Sequence, residues 1–237
     1  MKVHQVLGHP AEQITRNTVR MAGVQLSGIW QPCVHCSESR VRRYAVPNST
    51  ENRADRRAQR LFIDFSGPFH ETSLRENRFV MLCIDDFTRF KMVRFLKQKS
   101  DATNALRDII SDYFAPEGLK IGVIRTDGGG DWHGQFLSFL GELGIKREST
   151  PPYTPLYNGV VERALGLLRD KTVALLRGVM EGKSDRLWAE AMAYACDIWN
   201  RSTSVSLDSG TSPYELWYGR RPTFNNIPPF GTVGYLR

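Results

Sequence analysis

Three acidic residues lie in segments that would carry them to a common site. Asp64 stands in Leu-Phe-Ile-Asp-Phe and Asp127 ends Val-Ile-Arg-Thr-Asp, and both apolar runs are typical of buried strands. Glu162 follows Asn-Gly-Val-Val at the start of a long helical pattern. Because carboxylates repel one another, bringing three together calls for a bound cation. Divalent metals prefer such oxygen ligands, and two of them held by this trio would clamp a phosphate.

The elements that must position these acids predict an α/β fold. Apolar runs at 61–65, 78–85 and 90–96 predict an antiparallel meander of three strands. Two further strands, 120–126 and 145–148, alternate with predicted helices at 101–114, 135–143, 158–179 and 185–200. This order predicts a mixed five-stranded sheet flanked by helices. If the first and fourth strands are neighbours, Asp64 and Asp127 meet at one edge of the sheet.

Several residues near the acids have simpler interpretations. Asp85 and Asp86 fit turn chemistry, and Asp131 fits the N-cap of the following helix better than a metal ligand. Arg169 stands seven residues after Glu162 and so shares its helix face. We therefore expect Arg169 to contact a phosphate next to the metals.

Two close pairs of metal-binding residue types occupy the N-terminal segment. His4 and His9 are followed by Cys33 and Cys36, and neutral imidazoles with thiolates are the usual ligands of tetrahedral Zn²⁺. A helix over residues 11–22 would connect the pairs, and metal binding would supply folding energy to so short a segment. The alternative is two unrelated histidines and two free thiols. His35 lies between the cysteines but reaches the site poorly if both of them bind.

The chain is basic, and its charge is concentrated after the Cys pair. The net charge is +7 and the pI is about 9.4, which favours a nucleic acid or another polyanion as partner. Residues 37–60 are polar and rich in arginine, so they predict a linker between domains. In one interpretation this linker, including Arg56 and Arg57, lies along DNA phosphates; in the other it is a solvated tether.

Other classes of protein find little support. No apolar run approaches the length of a membrane span, and the N-terminal residues lack the pattern of a signal peptide. Cys83 and Cys196 sit in apolar surroundings typical of core thiols, so a secreted disulfide framework is not indicated. Asp208-Ser209-Gly210 matches the aspartic-protease triplet but lacks the flanking apolar strand, and a plain turn is favoured.

Short motifs along the whole chain resemble one known family. They include His4-Gln-Val-Leu-Gly-His9-Pro10, Cys83-Ile-Asp-Asp-Phe-Thr-Arg89, Phe95-Leu-Lys-Gln-Lys-Ser100, Pro152-Tyr-Thr-Pro155, Asn158-Gly-Val-Val-Glu-Arg163, Trp188-Ala-Glu-Ala191, Asn200-Arg201 and Thr211-Ser-Pro-Tyr-Glu-Leu-Trp217. The chain resembles the integrase segment of a copia-type long-terminal-repeat retrotransposon polyprotein. The most specific block is Pro152 to Arg163.

The resemblance implies an RNase H-like fold and a metal-dependent polynucleotidyl transferase. Such enzymes trim the 3′ ends of the element's DNA and join them to target DNA, with two Mg²⁺ or Mn²⁺ ions. The implied catalytic and metal-binding acids are Asp64, Asp127 and Glu162. The implied Zn²⁺ ligands are His4, His9, Cys33 and Cys36. The residues expected to contact DNA are Asn158, Arg163, Arg169, Arg56 and Arg57. The resemblance also implies a homo-multimer on DNA and no membrane partner. It implies an intracellular protein that acts in the nucleus after a virus-like particle stage in the cytoplasm.

The resemblance predicts four segments. They are a zinc-binding module at 1–45, a basic linker at 46–59, a catalytic core at 60–180, and at 181–237 a helical extension with the start of a truncated small β-barrel. Some positions depart from the family: Gly128, Gly130 and Asp131 replace a stretch with Asn and Glu. The 34 residues between Asp127 and Glu162 are one fewer than usual.

Two rival functions follow from the same residues. An inactive or decayed copy would bind nucleic acid or a partner without chemistry, although all three acids and all four zinc ligands are present. An RNase H-type nuclease would share the fold, but the zinc pairs and the Pro152–Arg163 block argue against it.

Overall fold

The chain forms two compact units. The computed structural model describes residues 2–39, 53–127, 132, 134–149, 159–179, 185–207, 210–225 and 227–232. One unit, which we call the helical unit, comprises Met1–Pro47 and Leu167–Arg237. The other, which we call the sheet unit, comprises Asn48–Gly166. The four segments expected from the sequence stay predictions of the domain organisation.

A mixed five-stranded sheet forms the sheet unit, as predicted. Its strands are β1 Arg60–Ser66, β2 Phe79–Asp85, β3 Lys91–Leu96, β4 Val123–Thr126 and β5 Lys146–Ser149, in the order β3-β2-β1-β4-β5. The first three strands pair as an antiparallel meander, whereas β4 runs parallel to both β1 and β5. β1 is therefore the neighbour of both the meander and the parallel half.

The core of this unit lies on the central strands. Residues 80–85 of β2 are all buried, which fits their nearly unbroken apolar sequence. Helix α4, Ala102–Ile109, continues into a π-helical turn at Ile110–Phe114 and packs against β3. α4 also packs against α5, Gln135–Glu142.

The N-cap of helix α5 differs from the prediction, although the helix begins at Gln135 as predicted. Its N-cap is Gly134, with φ 56° and ψ −114°, a conformation that residues with a Cβ rarely adopt. The prediction that Asp131 caps this helix is therefore wrong, because the helix begins beyond it. Asp131 itself lies outside the described residues.

Two buried carboxylates attach the segment before β1 to the sheet, and confirm the predicted structural role of Asp85 and Asp86. Asp85 accepts hydrogen bonds from the backbone N–H of Ala58 and Thr88, each at 2.8 Å, and burial raises its pKa. Asp86 accepts from the N–H of Ala54 at 2.9 Å and pairs with Arg89 at 3.0 Å. The last part of the predicted linker is therefore held by the sheet unit.

Helices dominate the second unit. They are α1 Lys2–Val6, α2 Glu12–Met21, α3 Val34–Ser39, α7 Trp188–Arg201 and α8 Pro213–Tyr218, together with the end of α6, Gly159–Arg177. Leu7, Val19 and Ile198 form its buried apolar cluster, so the N-terminal segment and α7 share one core. Within the described residues, no helix is both long and apolar enough to cross a membrane.

Hydrogen bonds reinforce this shared core. The Tyr194 hydroxyl on α7 donates toward two acceptors, the carbonyl of Val6 at 2.9 Å and that of Pro228 at 3.0 Å. The Thr203 N–H donates to the hydroxyl of Thr18 at 2.9 Å. Val6 and Thr18 both lie between predicted zinc ligands in the sequence. The N-terminal segment therefore depends on the C-terminal helices for part of its packing.

Candidate active site and metal centre

The sheet register brings Asp64 beside Asp127. In the parallel pair, Arg60 faces Val123 and Phe62 faces Arg125, a constant offset that carries Asp64 to the level of Asp127. Neighbouring strands lie about 4.7–4.9 Å apart, so the two residues are adjacent where β1 and β4 approach their carboxyl ends. The structure thus confirms that the first and fourth strands are neighbours, the condition on which the predicted meeting of these acids depended.

Electrostatics show that the third acid is close as well. Burial, and to a lesser extent the negative charges of Asp127 and Glu162, raise the pKa of Asp64 to about 6. A hydrogen bond from the Phe65 N–H, 2.7 Å from Oδ1 of Asp64, and the nearby Lys99 ammonium act in the opposite direction. Since all three acids belong to the sheet unit, their coupling describes one site.

Glu162 reaches this site from the start of a helix. It lies in the first turn of α6 and its side chain is exposed. The positive end of a helix dipole stabilises a carboxylate placed there. Two strand-end acids and one helix-start acid thus approach from separate elements, as the sequence predicts.

Two residues that the sequence did not single out contact Asp127. The indole Nε1 of Trp132 donates a hydrogen bond to Oδ1 of Asp127 at 2.6 Å. The guanidinium of Arg147 on β5 donates to the Asp127 carbonyl at 3.3 Å and to the Thr126 hydroxyl at 3.0 Å. A tryptophan within a glycine-rich stretch is the sequence signal that could have identified Trp132. Nothing in the sequence around Arg147 marks it in a similar way.

The trio has the chemistry of a divalent-cation site. Its donors are carboxylate oxygens, the ligands that Mg²⁺ and Mn²⁺ prefer, and a bound cation would offset both the burial and the neighbouring charges that raise the pKa of Asp64. The residues present therefore fit a divalent cation.

The four predicted zinc ligands form a tight cluster in the helical unit. Ligand atoms of His4, His9, Cys33 and Cys36 all lie within 4.8 Å of one another. Nε2 of His4 is 3.2 Å from Nδ1 of His9 and 3.3 Å from Sγ of Cys36. Tetrahedral Zn²⁺ with ordinary bond lengths separates its ligand atoms by about 3.3–3.8 Å. The cluster therefore has close to the dimensions of a structural zinc site.

The surroundings of this cluster suit metal binding. His4 and Cys33 are buried, and burial together with the positive field of His4 lowers the pKa of His9 to about 4. A neutral His9 imidazole keeps a lone pair available at neutral pH. His35 is not one of the four clustered ligands, in agreement with its predicted poor reach.

The predicted DNA contacts are dispersed. Arg163 and Arg169 are exposed on α6, whereas Asn158 and the Pro152–Pro155 motif lie outside the described residues. Arg56 is exposed, but Arg57 pairs with Glu117 at 3.1 Å. Both precede the amino end of β1, and a strand rises about 3.3 Å per residue, so they lie well away from Asp64 within the sheet unit.

Comparison with solved structures identifies the class of fold. The chain matches a simian T-cell lymphotropic virus intasome in complex with PP2A regulatory subunit B56 gamma with a TM-score of 0.57 and 20% identity, over 86% of this chain and 68% of that one. It matches the catalytic core domain of BIV integrase with a TM-score of 0.50 and 17% identity, over 68% and 95% of the two chains. The sheet unit has the fold of a retroviral-type integrase catalytic core.

Sequence comparison then gives the relatives within that class. The chain is 27% identical over 231 residues to the retrovirus-related Pol polyprotein from transposon TNT 1-94 of Nicotiana tabacum. It is 25% and 26% identical over 239 residues to the polyproteins from transposons RE2 and RE1 of Arabidopsis thaliana. These matches cover 96–98% of the chain but 16–17% of each polyprotein. No family model matches the chain.

The chain is thus a homologue of copia-type retrotransposon Pol polyproteins over nearly its whole length. This finding confirms the resemblance drawn from its motifs.

Proposed function

We propose that the chain is a DNA integrase that trims the 3′ ends of retrotransposon DNA and joins them to target DNA. The observation that carries the proposal is the parallel register that sets Asp64 beside Asp127, together with the charges of Asp127 and Glu162 that act on Asp64. The integrase-type fold and the homology to retrotransposon Pol polyproteins support the same reaction class.

The three carboxylates have distinct positions in this reaction. Asp64 and Asp127 offer oxygens from neighbouring strand ends, and Glu162 offers oxygens from a helix start. Two divalent cations held there would activate the attacking water or 3′-hydroxyl and neutralise charge on the leaving oxygen. The protein's own contribution is to hold the phosphodiester in line with the attacking group.

The proposed reaction also requires a basic surface that can bind a polyanionic DNA substrate. The chain carries a net charge of +7. Exposed Arg163 and Arg169 follow Glu162 on α6, and such side chains neutralise phosphates and release counterions. Arg56 remains a proposed contact, whereas the charge of Arg57 is compensated by Glu117. Action as a homo-multimer in the nucleus belongs to the same proposal.

The test is an assay of the reverse of DNA joining on short DNA substrates. Purified chain is incubated with a branched DNA that mimics the joined product, in Mg²⁺ or Mn²⁺, and the resolved strands are measured. We expect strand resolution that depends on the divalent cation. Binding of the DNA without any product would instead support a nucleic-acid-binding module, and faster cleavage of an RNA–DNA hybrid would support an RNase H-type nuclease.

Arg169 allows a separate test of the DNA surface. We expect Arg169→Ala to weaken DNA binding and to lower the slope of log K against log salt by about 0.9, the value for one lost phosphate contact. Arg220→Ala is the matched control, because Arg220 is also exposed but lies beyond α8. Equal slopes for the two variants would count against a phosphate contact by Arg169.

A further inference from the structure

A buried indole group holds one of the three acids. The Trp132 side chain is fully buried, and its Nε1 donates to Oδ1 of Asp127 at 2.6 Å. An indole N–H can only donate, and a buried donor without an acceptor is costly. Trp132 and Asp127 therefore fix each other: the indole finds its acceptor, and one carboxylate oxygen is turned toward the indole.

The same indole is linked to Asp64 through Phe65. The rings of Phe65 and Trp132 stack with centroids 4.5 Å apart and an interplanar angle of 17°. The Phe65 N–H donates to Oδ1 of Asp64 at 2.7 Å. A continuous series of contacts thus joins the carboxylates of Asp64 and Asp127 through two aromatic residues.

Arg147 secures the backbone on both sides of the glycine stretch. Its guanidinium donates to the Asp127 carbonyl at 3.3 Å and to the Trp132 carbonyl at 3.5 Å. A third bond, from Nε to the Thr126 hydroxyl at 3.0 Å, orients the guanidinium on the end of β4. One planar side chain with several donors can satisfy all three acceptors, which a lysine cannot.

We propose that Trp132, supported by Arg147, is a positioning residue that presents the second oxygen of Asp127 to a divalent cation. The inference rests on the proposed function, since it assigns Asp127 as a cation ligand. Partners that orient a metal ligand commonly change metal affinity about 10–100-fold when removed.

The test is direct measurement of Mn²⁺ binding, with the zinc site saturated. The signal of free Mn²⁺ in electron paramagnetic resonance gives the dissociation constant without any catalytic turnover. Trp132→Phe keeps an aromatic ring against Phe65 but removes the donor, so we expect Mn²⁺ to bind about 10-fold more weakly. Trp217→Phe is the matched control, because Trp217 is equally buried but belongs to the helical unit.

The outcomes separate the two proposals. Wild-type protein that binds Mn²⁺ no better than Asp127→Asn would contradict the proposed function and this inference with it. Tight binding by wild type with an unchanged constant in Trp132→Phe would overturn the inference alone. If Trp132→Phe does not fold, Arg147→Lys decides, because it keeps the charge and loses the multiple bonds; equal affinity in that variant would also overturn the inference.

Discussion

Replacing Asp64 by asparagine is expected to abolish DNA joining and, in the same variant, to stabilise the sheet unit at neutral pH. The amide keeps the shape of the side chain but binds a divalent cation far more weakly than a carboxylate does. We expect the joining rate to fall at least about 100–1000-fold, the scale seen when one electrostatic stabiliser leaves an active site. DNA binding should persist, because Asp64 does not neutralise phosphates.

The gain in stability follows from the raised pKa of Asp64. Its pKa is about 6 in the folded chain, against an ordinary value of 3.8, because burial and the neighbouring acids disfavour the charged form. The folded chain therefore binds the proton more tightly than the unfolded chain, and wild-type stability falls as pH rises from about 4 to about 6. Asparagine mimics the protonated form, so the variant should gain about 1–3 kcal/mol above pH 6 and nothing below pH 4.

Divalent cations should make wild type more stable than Asp64→Asn, the reverse of the order expected without cations. Mg²⁺ or Mn²⁺ that binds only the folded chain stabilises it by mass action, and the effect should be large for wild type and small for Asp64→Asn. Denaturant unfolding at pH 4 and pH 7.5, with and without cation, measures both effects. Asp108→Asn, at an exposed position on α4, serves as control. A variant no more stable than wild type at pH 7.5 without cation would contradict the raised pKa of Asp64 in the folded chain.

Periodicity and spacing were sufficient to predict the five-stranded sheet and the elements that carry Asp64, Asp127 and Glu162. The apolar runs around Asp64 and Asp127 are local signals, and the meander followed by alternating strands and helices predicted a mixed five-stranded sheet. The one conditional step was the pairing of β1 with β4, because no residue within either strand identifies its neighbour. The parallel register supplies that information and explains why these two positions meet.

The support around Asp127 could not be predicted in the same way. Arg147 contacts Asp127 and Trp132 from β5, and a bond between residues so far apart in sequence leaves no periodic pattern. The N-cap of α5 was predicted wrongly for a related reason. Asp131 has the composition of an N-cap, but the helix begins after Gly134, whose positive φ sets the direction of the chain.

The packing of the N-terminal segment was also beyond local signals. The sequence indicates metal ligands at His4, His9, Cys33 and Cys36, and a prediction confined to residues 1–45 follows. The structure adds a core shared with α7, in which Leu7 and Val19 contact Ile198. Apolar residues at helical spacing predict that a face is buried, but not which distant helix covers it.

Removal of zinc is therefore expected to affect more than the N-terminal segment. Structural Zn²⁺ contributes about 10–16 kcal/mol of apparent binding energy in small zinc modules, which is comparable to the whole stability of a domain. Without it, α1 to α3 should unfold, and Leu7 and Val19 should leave the core around Ile198. The Tyr194 hydroxyl would then also lose its bond to the Val6 carbonyl.

Hydrogen exchange with and without a chelator measures how far the loss of structure extends beyond the N-terminal segment. We expect amides of α7 to exchange at least about 10-fold faster after chelation, equivalent to about 1.4 kcal/mol of lost local stability. Amides of β1 and β2 should keep their protection, because the sheet unit has its own core. Readdition of Zn²⁺ should restore the protection of α7.

The variant Cys36→Ser separates the metal from side effects of the chelator. It removes one of the four clustered ligands and should show fast exchange in α7 from the outset, with no further change on chelation. Unaltered α7 exchange in both experiments would mean that the N-terminal segment stays folded without the metal, or that α7 does not need it. Loss of protection in β1 and β2 as well would mean that the two units unfold together, so zinc would then also stabilise the sheet unit that carries Asp64, Asp127 and Glu162.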